Sequence, residues 1–217
     1  MVVSRSSPCV TSRKHPKQAR SNDLVAAVLD AAVQVLTNEG AQRFTTARVA
    51  ERAGVSVGSL YQYFPNKAAI LFRLQSDEWS RTTDLLCAII QKGAPALVRL
   101  RTLVHAFIQS ECEEAAVRTA LNDAAPLYRD APEAADARSR GVRTFESFMQ
   151  EVLPQSSSET RALAADLILT TLGQVGSHFS ETARVASEIA AYADALADML
   201  CSYLETLMAR DQSTRPA

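Results

Sequence analysis

The chain has 217 residues, 47% of them hydrophobic and 22% charged, which is the balance of a globular protein whose core needs no disulfide or metal. No segment approaches the roughly 20 consecutive apolar residues of a membrane-spanning helix, and residues 1–12 lack the apolar stretch of a secretory signal. Residues 1–75 hold 10 Lys and Arg against 4 Asp and Glu, a net charge of +6, and the rest carries −7. A basic front on an acidic body predicts contact with a polyanion, although chance clustering gives the same pattern.

The first 21 residues are basic and contain no acidic side chain. Ser, Thr and Pro fill much of the remainder, as is typical of a flexible segment. We expect residues 1–21 to form a basic arm that contacts DNA phosphates or enters the minor groove, with a solubilising terminus as the alternative. The basic residues of this arm are Arg5, Arg13, Lys14, Lys17 and Arg20.

From residue 22 onward, apolar residues recur at the three- and four-residue spacing of amphipathic helices, and no stretch alternates as a strand does. The first helix is predicted to begin at Asn22 or Asp23 and to end at Gly40, because these residue types cap helices. The chain is therefore predicted to be all-α with about nine helices. The others are expected from Thr45 or Thr46 to Ala53, after Ser56 to about Phe64, Lys67 to about Gln91, Ala96 to about Glu113, Ala115 to about Asp123, Glu133 to Val152, and over about 159–180 and 185–209.

Residues 44–71 have the pattern of a helix-turn-helix. Gly54 stands where the tight turn between two short helices needs a positive φ, and the small Ala50 lets the two helices cross closely. We expect Leu60 and Phe64 to be buried beneath the second helix. The side chains expected on its exposed face are Ser59, Tyr61, Gln62 and Tyr63.

That exposed face suits the groove of a DNA duplex. Gln62 can hydrogen bond to an adenine edge, and Gly58 allows the backbone to approach closely. Lys67 and Thr46 lie at the starts of two helices, where free backbone N–H groups and the helix dipole favour an anion. The pattern predicts that the second helix reads the major groove while the two helix starts hold the phosphate backbone.

This segment resembles the signature of the TetR/AcrR family of bacterial transcriptional regulators, in which the run T-x-x-x-I-A-x-x-A-G-V-S-x-G-x-[LI]-Y-x-[YH]-F-x-x-K is typical. The resemblance covers about residues 22–75, and the valine that replaces the usual isoleucine keeps a β-branched side chain at a packed position. The matching residues are Thr46, Val49, Ala50, Ala53, Gly54, Val55, Ser56, Gly58, Leu60, Tyr61, Tyr63, Phe64 and Lys67.

The resemblance implies which side chains contact DNA. Those expected to contact phosphates are Thr46, Arg48, Tyr61, Tyr63 and Lys67. Those expected to face base edges are Val57, Gly58, Ser59 and Gln62. For Tyr61, the alternative is a ring that packs partly beneath the reading helix.

The resemblance also implies a helix-turn-helix DNA-binding domain at 22–67 and a helical ligand-binding and dimerisation domain at 68–217. A specific operator needs two reading heads spaced by about one turn of DNA, ~34 Å, so we expect a homodimer. The expected interface is formed by the helices at about 159–180 and 185–209. The apolar residues of the second helix cover more of its surface than one stripe, so this helix could pack against its own core and against a partner. Two glycines permit a close helix crossing, either between subunits or within one, and these are Gly173 and Gly176.

The resemblance further implies a cavity for a small-molecule effector between the long fourth helix and the helices after it. The side chains available to line it are Trp79, His105, Phe107, Phe145, Phe148, Met149, Gln174 and His178, although aromatic residues at helical spacing are more often core. Effector and DNA are expected to favour different tilts of the fourth helix, so that each weakens binding of the other. The identity of the effector is open.

Two other classes of protein explain less of the sequence. An enzyme is not expected, because the chain has no GxSxG, no Gly-rich phosphate loop, no HExxH and no clustered His and Cys, so no cofactor or metal is predicted. A helical adaptor would explain the amphipathic helices but not the basic front. The four cysteines show no CxxC spacing and are expected to be reduced thiols; they are Cys9, Cys87, Cys112 and Cys201. The protein is accordingly expected in the cytoplasm, associated with the nucleoid. Among regulators, a repressor released by its inducer is preferred to an activator.

Overall fold

The computed structural model describes the backbone of residues 19–127 and 132–213, and the side chains of 21–127 and 141–213. The described residues form helices and no β-strand, which confirms the predicted all-α fold. The predicted basic arm lies almost wholly outside the described residues. The helices are α1 Ala19–Arg43, α2 Thr46–Arg52, α3 Val57–Tyr61, α4 Lys67–Ile90, α5 Ala96–Glu113, α6 Ala115–Ala124, α7 Pro132–Val152, α8 Ser158–Ser180 and α9 Ala186–Ser213, with a short 3-10 turn at Ala125–Leu127.

Two helix boundaries differ from the sequence-based prediction. Helix α1 begins before the predicted cap, and it continues for one short turn beyond Gly40, whose φ of 79° interrupts the regular helix. The predicted stop is therefore a kink. Helix α3 ends at Tyr61 and not near Phe64, because the next residues fold into a turn in which the backbone N–H of Phe64 donates to the carbonyl of Leu60 at 3.0 Å. Pro65 disfavours helical backbone at the residue before it.

The described residues pack as two compact units, and α4 runs from the first into the second. The first unit combines the described residues up to Ser80 with those of 116–138. Its core is formed where α1, α2, α3, the first part of α4 and α6 meet. The largest fully buried side chains of this core are Leu36, Phe44, Leu60, Phe64, Ile70, Leu71 and Leu121.

The second unit is organised around α5, which packs against both α8 and α9. Salt bridges reinforce the second of these contacts, since Arg101 of α5 pairs with Asp198 of α9. At the far end of α9, the buried carboxylate of Asp211 accepts hydrogen bonds from the backbone N–H of Gln155, at 3.2 Å, and from the hydroxyl of Ser156. No helix among the described residues is long and apolar enough to span a membrane.

The two glycines of α8 have different surroundings. A Cβ built on Gly176 would lie 2.8 Å from a ring carbon of Phe107 and 3.1 Å from Cγ of Glu111, both on α5. A Cβ on Gly173 would meet nothing within 4 Å. Gly176 therefore serves a close crossing within the subunit, which is one of the two alternatives left open by the sequence.

We expect Gly176→Ala to lower the free energy of unfolding by about 1–3 kcal/mol, because the added methyl group overpacks the α5–α8 contact. Gly173→Ala is the matched control, and it should raise the unfolding free energy by up to about 1 kcal/mol, since alanine is the better helix former. Urea denaturation of both variants checks the pair. Equal stability of the two would contradict the packing described for Gly176.

Candidate nucleic-acid interface

Side-chain caps fix the geometry of the helix-turn-helix. The hydroxyl of Thr45 accepts from the backbone N–H of Arg48 at the start of α2, and Ser56 accepts from the backbone N–H of Ser59, at 3.0 Å, at the start of α3. Gly54 joins the two helices with a φ of 67°, a conformation that side chains disfavour. These local contacts confirm the predicted caps and turn, and they set α3 at a fixed angle to α2.

The first turn of α4 is capped in the same way. The side-chain oxygen of Asn66 accepts a hydrogen bond from the backbone N–H of Ala69 at 2.9 Å. Lys67 follows at the first position of α4 and is half-buried. Its ammonium group therefore lies beside a helix N-terminus, where the helix dipole also favours an anion.

One face of α3 is buried and the other is open. Leu60 lies beneath the helix and is fully buried, as predicted. The side chains of Val57 and Gln62 are exposed, and so is the backbone at Gly58. Ser59 is half-buried, because its hydroxyl lies 2.8 Å from that of the capping Ser56.

The expectation that Tyr63 is exposed on the reading helix is wrong. Its side chain is only 7% exposed, and its hydroxyl donates to Oγ of Ser21, in α1, at 3.1 Å. The physical reason is that α3 ends at Tyr61, so Tyr63 lies in the following turn and faces the core of the first unit. Periodicity alone did not show this, although the nearby Pro65 was a signal that the helix had already ended.

Replacing Tyr63 by phenylalanine is expected to lower the free energy of unfolding by about 1 kcal/mol, because a partly buried hydrogen bond to Ser21 is lost while the ring stays packed. Tyr61→Phe is the matched control, since its hydroxyl is exposed and should contribute little to stability. Thermal or urea unfolding measures both. A destabilisation of Tyr61→Phe larger than that of Tyr63→Phe would contradict this assignment.

Tyr61 connects the two short helices across the open face. Its side chain is 40% exposed, and its hydroxyl lies 3.1 Å from Oγ1 of Thr46 at the start of α2. The end of α3 and the start of α2 therefore present two hydroxyl groups side by side. Such a pair is suited to a phosphate oxygen, to which either hydroxyl can donate.

Arg48 is exposed on α2 and forms an ion pair with Glu39 of α1. The guanidinium is thus oriented by a carboxylate of the same unit. An exposed pair of this kind contributes little to stability, and its arginine can exchange the carboxylate for a phosphate at small cost.

Packing against the described residues does not explain why position 58 is a glycine. Its φ is not positive, and a Cβ built on it would meet only Oγ of Ser56, at 3.7 Å, which is ordinary contact. Alanine would fit here and would favour the helix. A glycine at an exposed position with free space instead suits a surface on which another molecule approaches the backbone closely.

The eight side chains predicted for an effector cavity lie in several different environments. Phe145, Phe148 and Met149 are buried in the core of the second unit, whereas Trp79 packs against the core of the first. Phe107 packs against Gly176. The three remaining side chains are His105, 3.1 Å from a carboxylate oxygen of Asp194, and the exposed Gln174 and His178.

Sequence reasoning missed a polar cleft of about 360 Å³ in the second unit. Only Phe148 of its lining had been singled out. A signal was present, because Arg99 occupies the buried, apolar stripe of α5 and a buried charge needs a partner. The lining residues are Ile90, Gln91, Arg99, Arg143, Thr144, Ser147, Phe148 and Glu151.

Comparisons with known proteins agree with this architecture. Residues 28–74 match the family model described as "Bacterial regulatory proteins, tetR family", and residues 95–207, more than half of the chain, match "Tetracyclin repressor-like, C-terminal domain". A fatty acid metabolism regulator protein of Bacillus subtilis is 30% identical over 77 residues, which is 36% of this chain and 40% of that protein. A nucleoid occlusion factor, SlmA of Vibrio campbellii, is 33% identical over 82 residues, or 37% of this chain and 42% of that protein.

The chain thus spans about two fifths of the length of these curated relatives. Among solved structures, FadR from Bacillus subtilis in complex with stearoyl-CoA has a similar fold, with a TM-score of 0.60 and 18% identity, covering 82% of this chain and 97% of that one. The two family models together account for the helix-turn-helix and for most of the second unit. The resemblance inferred from sequence is confirmed, and the chain belongs to the TetR family of DNA-binding transcriptional regulators, which are not enzymes.

Proposed function

We propose that the protein is a ligand-responsive repressor that binds a palindromic operator as a homodimer and is released by a small-molecule inducer. The observation that carries the DNA-binding half of this proposal is the open face of α3, where the described neighbours of Gly58 leave room for a Cβ. The Thr46–Tyr61 hydroxyl pair lies at the end of α3, and Lys67 is the first residue of the next helix along the chain. Together they supply a surface for base edges between two sets of phosphate contacts.

The proposed contacts follow from what each side chain offers. Thr46, Tyr61 and Lys67 are assigned to phosphates, and Arg48 joins them by exchanging Glu39 for a phosphate. Tyr63 reaches a phosphate only through its hydroxyl, because its ring is buried. The residues assigned to base edges are Val57, Gly58, Ser59 and Gln62.

The dimer is proposed to form through α8 and α9, and the support is the exposed leucines of α8 and an uncharged exposed stripe on α9. On α8, Leu163 is 66% exposed, Leu167 is also exposed, and Gly173 has open space where a side chain would stand. On α9, the charged residues Asp194 and Asp198 turn toward α5, while another exposed stripe carries no charge. The members of that stripe are Ala191, Ala195, Met199, Ser202 and Thr206.

Large apolar side chains that are exposed to water at regular helical spacing indicate a surface that another molecule covers. A second copy of the chain, related by a two-fold axis, would bury the same surface on both subunits. The four-residue spacing of Leu163 and Leu167 places both on one side of α8. Pairing of two subunits supplies the two reading heads that a palindrome requires.

For the effector, we propose an amphiphilic acyl compound as the class. The support is limited to similarity: one relative is named as a fatty acid metabolism regulator, and a structure of the same fold is a complex with stearoyl-CoA. The protein would act in the bacterial cytoplasm on nucleoid DNA, where such a regulator meets its operator.

Selection of genomic fragments by the purified protein, read by sequencing, tests the function. We expect a palindrome upstream of genes, and we expect Lys67→Ala to abolish its enrichment. Lys92→Ala, an exposed lysine beyond α4, is the matched control and should select the same fragments. Fragments without a common sequence, or equal enrichment by Lys67→Ala, would contradict the proposal.

A further inference from the structure

A buried arginine joins three helices of the second unit. Arg99 of α5 is only 7% exposed, and its Nη1 donates to the carbonyl of Ile90, the last residue of α4, at 2.7 Å. Both terminal nitrogens donate to the carboxylate of Glu151 on α7, and the guanidinium lies 5.0 Å from the centre of the Phe148 ring. Its Nε finds no hydrogen-bond partner among the residues that the structure describes. One side chain therefore holds the end of α4 to α5 and α7.

The polar cleft of about 360 Å³ opens beside this arginine. Its lining contains two arginines, Arg99 and Arg143, and one carboxylate, that of Glu151. The amide of Gln91 and the hydroxyls of Thr144 and Ser147 add neutral hydrogen-bonding groups, whereas Ile90 and Phe148 provide an apolar floor (these five also belong to the lining). Planar guanidinium groups are the preferred partners of carboxylates and phosphates.

Glu151 occupies the position that such an anion would take. The side chain of Glu151 is 60% exposed, in contrast to the buried arginine. The hydrogen bond from Arg99 lowers the pKa of Glu151, so this carboxylate is ionised at neutral pH. Moving an exposed carboxylate into water costs little, whereas the buried guanidinium must keep an anionic partner. A second anion can therefore replace Glu151 without leaving Arg99 uncompensated.

We propose that this cleft binds the anionic group, a carboxylate or a phosphate, of an amphiphilic organic effector, and that this group competes with Glu151 for Arg99. This proposal rests on the proposed function in one respect, because it takes the bound molecule to be the inducer that releases the repressor from DNA. Because the same guanidinium holds the carbonyl of Ile90, occupancy acts on the last residue of α4. Lys67, in the proposed DNA surface, is the first residue of that helix, so the site biases a helix that also serves the operator.

The test is calorimetric titration of the full chain with stearoyl-CoA, stearate and coenzyme A as separate probes. Arg143→Met removes a cleft charge but keeps the length of the side chain, and we expect it to weaken binding of the anionic probe about tenfold or more. Glu151→Gln removes the competing charge, and we expect it to tighten binding several-fold. Arg210→Met, an exposed arginine near the end of α9, makes the same charge change elsewhere and should bind as the wild type does.

Opposite shifts in the two cleft variants support the site, whichever probe shows them. A response with stearate identifies a carboxylate as the group bound, and a response confined to stearoyl-CoA and coenzyme A identifies a phosphate. Wild-type affinity in both cleft variants, or no binding of any probe, would overturn the inference. Operator binding by the wild-type protein without any probe reports on the proposed function separately, so the failure of one is distinguishable from the failure of the other.

Discussion

Replacing Leu163 and Leu167 together by aspartate is expected to convert the protein to a monomer and to weaken operator binding by about a hundredfold or more. Both leucines are exposed on α8, so aspartate at these positions leaves the core of the second unit intact. The double substitution places two negative charges per subunit in the proposed interface, where they repel the same charges of the partner. A monomer has one reading head, so it loses the gain of about 10²–10⁴ in affinity that two linked heads provide on a palindromic operator.

Sedimentation equilibrium and operator titration on the same preparation measure the two effects. Val98→Asp is the control, because it replaces an exposed apolar side chain of α5 that lies outside the proposed interface. It should remain dimeric and bind the operator with wild-type affinity. A double aspartate variant that stays dimeric would show that the subunits pair through another surface.

Gly58→Val is expected to reduce operator affinity about tenfold or more while leaving stability nearly unchanged. The structure has room for a Cβ at this position, since it would contact only Oγ of Ser56, at 3.7 Å, among the described atoms. Valine and glycine differ little in helix propensity, so the fold should tolerate the change. On the exposed face of α3, however, the two added methyl groups would hold the backbone away from the bases.

Gly93→Val provides the matched control, because a Cβ at that glycine meets no described atom within 4 Å and the residue lies in the loop before α5. Anisotropy titration of the operator and urea denaturation of both variants give the comparison. If Gly58→Val bound the operator as tightly as Gly93→Val does, α3 would not be the reading helix.

The helix-turn-helix was predictable because its determinants are local. The sequence spacing shows the capping hydroxyls, each of which lies three residues before the backbone N–H from which it accepts. It also shows the glycine at the turn between the two short helices, which needs a positive φ. The prediction failed at Tyr63, where the question was which way a turn residue faces. Its side chain packs in the core of the first unit and bonds to Ser21, 42 residues earlier, and no local pattern encodes these contacts.

The cleft of the second unit was beyond sequence reasoning for the same reason. Arg99 and Glu151 are 52 residues apart and belong to no motif, so only the packing of α5 against α7 brings them together. The candidates for an effector site were selected by residue type, and the three on α7 are all buried, of which only Phe148 also lines the cleft. Hydrophobic side chains at helical spacing predict burial well, but they do not distinguish a cavity wall from a filled interior.

Sequence-specific binding of DNA is the central function proposed for this protein. The measurement that tests it is an anisotropy titration of the selected operator fragment and of a scrambled duplex of equal length, at several salt concentrations. We expect the operator to bind about a thousandfold more tightly, with an affinity that falls steeply with salt and less steeply in Lys67→Ala. Equal affinity for the two duplexes at every salt concentration would contradict the account.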